Sequence, residues 1–120
     1  MGDRDLKTRT KKFALCIIDL VGSLKTGRVG EVLGRQLLKS GTSIGANYRE
    51  ASRASSKKHF ISIIEISIRE ADETQYWLEL LAESDTISRG KLKGLMTECG
   101  ELTAMLTASV KTAKRSLKSD

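Results

Sequence analysis

The sequence predicts an all-α protein, an up-down-up-down antiparallel four-helix bundle. Three observations carry that prediction. None of the 120 residues is proline and only 4% are aromatic, which favours long uninterrupted helices over strands and turns. Apolar residues recur at intervals of three and four along four successive stretches, the spacing of one helix face. The breaks between those stretches are short, so consecutive helices must fold back on one another. A chain of this length is expected to form one domain, residues 1–120, with one core running along the bundle.

The first helix is expected over 9–25. Phe13, Ile17, Leu20, Val21 and Leu24 form its apolar stripe. Leu15 and Ile18 widen the face, so this helix calls for cover on more than one side. Residues 1–8 are polar and mixed in charge, and are expected to fray. Gly27 suits a left-handed C-terminal cap. The second helix is expected over 30–53, with Leu33, Leu37, Ile44, Tyr48 and Ala51 as its stripe. Ser40 and Gly41 stand in that stripe where a large residue would be expected. Gly30, Gly34, Gly41 and Gly45 each cost a helix roughly 1 kcal/mol relative to alanine. Such residues persist where another backbone approaches closely or the helix bends near Thr42 and Ser43. They lie inside a helical pattern, not between a strand and a helix, which argues against a phosphate-cradling loop.

Ala54-Ser55-Ser56 reads as a hinge, with either serine a fitting N-cap. The third helix is expected over 57–84. Phe60 or Ile61, then Ile64, Ile68, Ala71, Gln75, Leu78 and Leu81 or Ala82 form a near-heptad stripe. Ile63, Ile66 and Trp77 fall off that stripe and suggest a second surface to cover. Residues 85–90 read as a loop. The fourth helix is expected over 91–117, on Leu92, Leu95, Cys99, Leu102, Leu106, Ser109 and Ala113, with Met96 and Val110 beside them.

The charge is unevenly placed. The chain carries 21 Lys and Arg against 15 Asp and Glu, a net +6. Residues 7–12, 49–58 and 111–118 hold twelve cations against one acid, Glu50, a net +11, while the remainder holds nine cations and fourteen acids, a net −5. Antiparallel threading brings those three segments to one end of the bundle. The candidate nucleic-acid contacts are Lys11, Lys12, Arg49, Arg53, Lys57, Lys58, Lys111, Lys114 and Arg115, a footprint for a phosphate backbone. The plainer alternative is solvated charge at helix ends. Lys111 to Lys118 complement a helix C-terminus, whereas Lys57 and Lys58 open a helix and do not. Base stacking is not supported, because Tyr48 and Phe60 belong to the core stripes. Glu65, Glu70, Asp72, Glu73, Glu79, Glu83 and Asp85, by contrast, make most of the third helix acidic.

Catalytic chemistry finds no foothold. His59, the single histidine, sits among lysines and reads as a surface residue. No Cys/His spacing suits zinc, and no Glu-x-x-His pairs suit a carboxylate metal site. Ser43 and Ser55 have no histidine placed to activate them. Neither catalytic residues nor a metal or other cofactor are expected. Cys16 and Cys99 each fall in an apolar helical pattern and are expected to be buried free thiols in a reducing cytosol, with a disulfide the minor alternative. No apolar run is long enough to span a bilayer and no leader pattern opens the chain, so the expectation is a cytoplasmic protein.

The words SGTSIGANYREA (40–51), SKKHF (56–60) and READETQYWLELL (69–81) occur in order. Together they resemble the bacterial four-helix-bundle proteins of the 23S rRNA intervening-sequence family. The three words together span about a quarter of the chain. It implies a cytoplasmic bundle without catalytic residues, assembled as a ring-shaped homopentamer. A related branch, the accessory variability protein of diversity-generating retroelements, is basic and works with a reverse transcriptase and nucleic acid. Two functional expectations follow. One is a homo-oligomer that binds RNA or DNA backbone through the basic pole. The other is an oligomeric scaffold for a protein partner, free of nucleic acid. In both, Ile63, Ile66, Glu70, Glu73 and Trp77 are the candidate oligomer interface.

Overall fold

The structure, a computed structural model, describes residues 2–25 and 27–119. Four helices follow one another: α1 Gly2–Gly22, α2 Arg28–Ala51, α3 Lys57–Glu83 and α4 Arg89–Ser119. They build a four-helix bundle measuring 53 × 21 × 20 Å. Around its cross-section α1 packs on α2, α2 on α3, α3 on α4 and α4 on α1.

Paired residues show that the three seams between consecutive helices are antiparallel. Between α1 and α2, Thr10 meets Gly45, Ile17 meets Gly41 and Val21 meets Gly34, with Leu24 just past the end of α1 also against Gly34. Between α2 and α3, Ser67 Oγ donates to the Ile44 carbonyl at 2.8 Å, and Thr74 Oγ1 meets Ser40 Oγ at 2.9 Å. Between α3 and α4, Cys99 Sγ donates to the Ala71 carbonyl and Gln75 Nε2 to the Met96 carbonyl. The core is mostly the aliphatic set read from the stripes, among them Phe13, Ile17, Leu37, Ile44, Ile64, Leu78, Leu102 and Leu106. Ser40 and Gly41 are buried in the stripe of α2, where α1 and α3 come close enough to leave no room for large side chains.

The helix ends have local causes. Ser56 caps α3, its hydroxyl accepting the His59 amide at 3.1 Å, which relieves one unpaired donor. At the other end Asp85 takes a left-handed φ of 58°. The Asp85 and Thr86 amides return to the Ala82 and Leu81 carbonyls, the paired bonds of a Schellman ending, and Ile87 is then buried beneath it. Aspartate tolerates this conformation better than most residues with a Cβ.

Several expectations are corrected. Helix α1 begins at Gly2, not at residue 9, because Leu6 is fully buried and anchors the first turns. Gly27 is not left-handed; it is the extended N-cap of α2, since a five-residue link leaves no room for a separate C-terminal cap. Helix α4 starts at Arg89, so Gly90 is helical. Cys16 is exposed while Cys99 is buried; position 16 is one residue, about 100° of helix, away from the inward-facing Ile17. Leu15 and Ile18 stay exposed, at 56% and 48%, so the second apolar side of α1 is uncovered within the chain.

Candidate nucleic-acid interface

The fold sets the start of α1, the end of α2, the start of α3 and the end of α4 at one end of the bundle. A groove of about 360 Å³ along the α1–α2 seam is lined by Lys7, Thr10, Lys11, Ala14, Thr42, Gly45, Ala46 and Arg49. Lys7, Lys11 and Arg49 therefore share one surface despite their separation in sequence. Across the bundle, Lys57 Nζ donates to Ser116 Oγ at 2.6 Å, which ties the start of α3 to the end of α4. Leu6, Phe60, Thr112 and Ala113 line one hollow between α1, α3 and α4. The three basic segments converge as the antiparallel threading requires.

The candidate cations differ in their surroundings. Lys11, Lys12, Arg49, Arg53, Lys57, Lys58, Lys111, Lys114 and Arg115 are all exposed. Lys114 pairs with Glu65 at 3.3 Å. Lys57 and Lys58 occupy a first helical turn that holds no acid, against the sign the helix N-terminus favours. Arg9 faces away from this surface. Its Nε donates to Glu98 Oε2 at 3.0 Å, and its Nη2 reaches Glu98 Oε1 and, at 2.8 Å, Glu101 Oε1. These carboxylates, Glu98 first, raise the guanidinium pKa further above its ordinary value. Arg9 is thus a clasp between α1 and α4, and the sequence offered no sign of a pairing 89 residues apart.

The interface candidates divide. Ile63 is only 5% exposed and belongs to the chain's own core, because α3 turns it toward α2; it is not available to a neighbouring copy. Ile66 is 38% exposed and Glu73 is exposed. Trp77 is half-buried, with Nε1 donating to Glu73 Oε1 at 3.3 Å. Its ring meets exposed Tyr76 edge-on at 5.1 Å. Glu70 is half-buried, and burial raises its carboxyl pKa, with Glu73 adding to the rise and Lys39 and Arg69 opposing it. Val29 and Val32 of α2, which lie off the apolar stripe of that helix, are exposed at 57% and 49%.

His59 lies at the surface, its Nδ1 within 3.4 Å of the Ser55 amide. Ser43 donates to the Lys39 carbonyl of its own helix. Among the described residues, no group of three His, Cys, Asp or Glu side chains is placed to hold a metal ion. No described helix is long and apolar enough to cross a membrane.

The family described as 23S rRNA-intervening sequence protein matches residues 3–108. The chain belongs to that family. A similar fold appears in a crystal structure from Bacteroides thetaiotaomicron, described as a protein with unknown function from the S23 ribosomal protein family. That structure is 38% identical over 92% of this chain and 99% of its own, with a TM-score of 0.87. No curated protein matches the chain.

Two features of the site were not read from the sequence. Lys7 lies in the basic segment but outside the nine candidate contacts, and Thr42, Gly45 and Ala46 line the groove without any charge to mark them. Their signal was the run of small residues flanking Arg49 on α2, which read only as packing.

Proposed function

We propose that this member of the 23S rRNA-intervening sequence family is a non-enzymatic, cytoplasmic homo-oligomer that binds RNA or DNA backbone through its basic end. The observation that carries the reading is the gathering of three sequence-distant cationic segments onto one end of the bundle, with Lys7, Lys11 and Arg49 around a single groove. The family name, which refers to 23S rRNA, points the same way. The resemblance in the central motifs implies a ring of five copies, which would multiply a weak site by avidity. One subunit alone should bind nonspecifically at ~10⁻⁴–10⁻⁶ M at physiological salt.

The test is binding of a generic RNA hairpin across a salt series. A steep linear fall of log K with log salt is expected, together with weakening when Arg53, Lys57 and Lys58 are changed to glutamate. A flat salt response removes the proposal.

A second reading rests on a separate observation. Ile66, Tyr76, Trp77, Val29 and Val32 leave apolar surface on the outer faces of α3 and α2, beside an acidic helix. In that reading the oligomer is a scaffold for a protein partner. Sedimentation of Trp77→Ala discriminates: a lost oligomer makes this face the self-contact, and an intact one leaves it for a partner.

A further inference from the structure

We propose that the α1–α2 groove, and not the α3–α4 side of the basic end, is the track that holds the phosphodiester backbone. This rests on the polyanion reading above and names where on the end the contact is made.

The groove has a structural cause. Gly45 lets α1 approach so closely that a Cβ there would lie 3.1 Å from Thr10 Oγ1 and 3.2 Å from Thr10 Cβ. With Ala14, Ala46 and Thr42 beside it, the seam is floored by small side chains, which leaves an open furrow. Its charged side chains are all cations. Lys7 and Lys11 stand one turn apart on one wall, about 6 Å along the axis. Arg49 stands on the opposite wall. Among the described residues, no carboxylate pairs with any of the three. A phosphate between the walls would meet two ammonium groups from one side. From the other it would meet a guanidinium, whose fork suits two phosphate oxygens at once.

The competing surface is built differently. The groove on the α3–α4 seam is larger, about 480 Å³, and is lined by Arg69, Lys111 and Lys114 but also by Glu65. Glu65 pairs with Lys114, so a phosphate there would meet a carboxylate and would have to break that pair. Lys57, farther along the same side, is held by Ser116. The two sides of one basic end thus differ in the charge they leave open.

The experiment compares two sets of three neutralised cations on the full chain, with a labelled RNA hairpin as probe. One set is Lys7→Gln, Lys11→Gln and Arg49→Gln. The other is Lys111→Gln, Lys114→Gln and Lys118→Gln. Each phosphate contact contributes about 0.7 to 0.9 to the salt slope. The groove set should therefore flatten the slope by about 2 and weaken binding at least tenfold more than the α4 set. Unchanged thermal melting and sedimentation confirm that fold and assembly are intact. Ala46→Glu adds a carboxylate to the groove without removing a cation; it should weaken binding, while Ala104→Glu on exposed α4 should not. A larger loss from the α4 set, or binding indifferent to Ala46→Glu, overturns the groove assignment and leaves the polyanion reading standing. A wild-type chain whose binding does not respond to salt overturns both.

Discussion

Ile17 of α1 occupies the space that a side chain at position 41 of α2 would need: a Cβ on Gly41 would lie 3.0 Å from both Cγ1 and Cγ2 of Ile17. A β-branched side chain in a helix has essentially one rotamer and cannot swing aside. The bundle therefore closes on this seam because position 41 lacks a side chain.

Gly41→Ala should accordingly destabilise the fold. Overpacking costs about 1–3 kcal/mol, and the helix propensity gained returns about 1 kcal/mol, so a net loss near 1 kcal/mol is expected. Gly94 and Gly100 of α4 face open space, with nothing within 4 Å of a Cβ. Gly94→Ala and Gly100→Ala should each stabilise by about 0.5–1 kcal/mol. Urea midpoints at constant m-value measure all three. Equal shifts for Gly41→Ala and Gly94→Ala would refute the close approach of α1 and α2.

The two thiols should differ sharply in reactivity. Cys16 is exposed. Cys99 is buried with its Sγ donating to the Ala71 carbonyl at 3.2 Å. Burial, with Asp72 and Glu98 adding, pushes its pKa up to about 12, and the thiolate is the reactive form. Ellman's reagent should find one fast thiol per native chain and a second only on unfolding. Cys16→Ser should abolish the fast phase; a fast phase that survives it would show that Cys99 is accessible.

How much of this was legible follows from what each signal depends on. The four helices were readable because Phe13, Ile17, Leu37, Ile44, Ile64, Leu78, Leu102 and Leu106 repeat at helical spacing, and spacing is local. The start of α1 was not, because Leu6 is a lone apolar residue among polar neighbours and one residue shows no period. Gly27 was misassigned because a glycine between two helices suits the end of one and the start of the next equally well. Ile63 was placed outside because a heptad stripe describes contact with one neighbour, whereas α3 packs on both α2 and α4. The basic end was legible from segment charge and topology together. Its division into an open α1–α2 side and a partly paired α3–α4 side was not, since Lys114–Glu65 and Arg9–Glu98 depend on register between helices.

Glu70 makes the stability of the chain depend on pH in an identifiable direction. Its folded-state pKa is raised, by burial first and Glu73 second, against Lys39 and Arg69. The folded state thus holds this proton more tightly than the unfolded chain, and stability falls as pH rises through the range above the ordinary glutamate value. Glu70→Gln removes the cost of the charge. The variant should be more stable than wild type at pH 7, with the advantage disappearing near pH 4. Urea unfolding of both proteins at the two pH values tests this; an advantage that grows on acidification has the wrong sign for a desolvated carboxylate.

The Arg9 clasp should couple more strongly to Glu98 than to Glu101. Both carboxylates contact the same guanidinium, but in different settings. Glu98 takes two donors, Nε and Nη2, and its side chain is 31% exposed, whereas Glu101 takes Nη2 alone and is 57% exposed. Two-pronged, partly shielded pairs keep more of their attraction than single solvated ones, which measure about 0.2–1 kcal/mol. Double-mutant cycles with Arg9→Gln should give a coupling near the top of that range for Glu98→Gln and near its bottom for Glu101→Gln. The Glu101 coupling should fade first as salt is raised, because solvent-exposed charges are screened more fully. Arg9→Lys keeps the charge but loses the fork, so it should forfeit most of the Glu98 coupling. If lysine preserved that coupling in full, attraction between point charges would suffice, and the two-pronged geometry would carry no weight in holding α1 to α4.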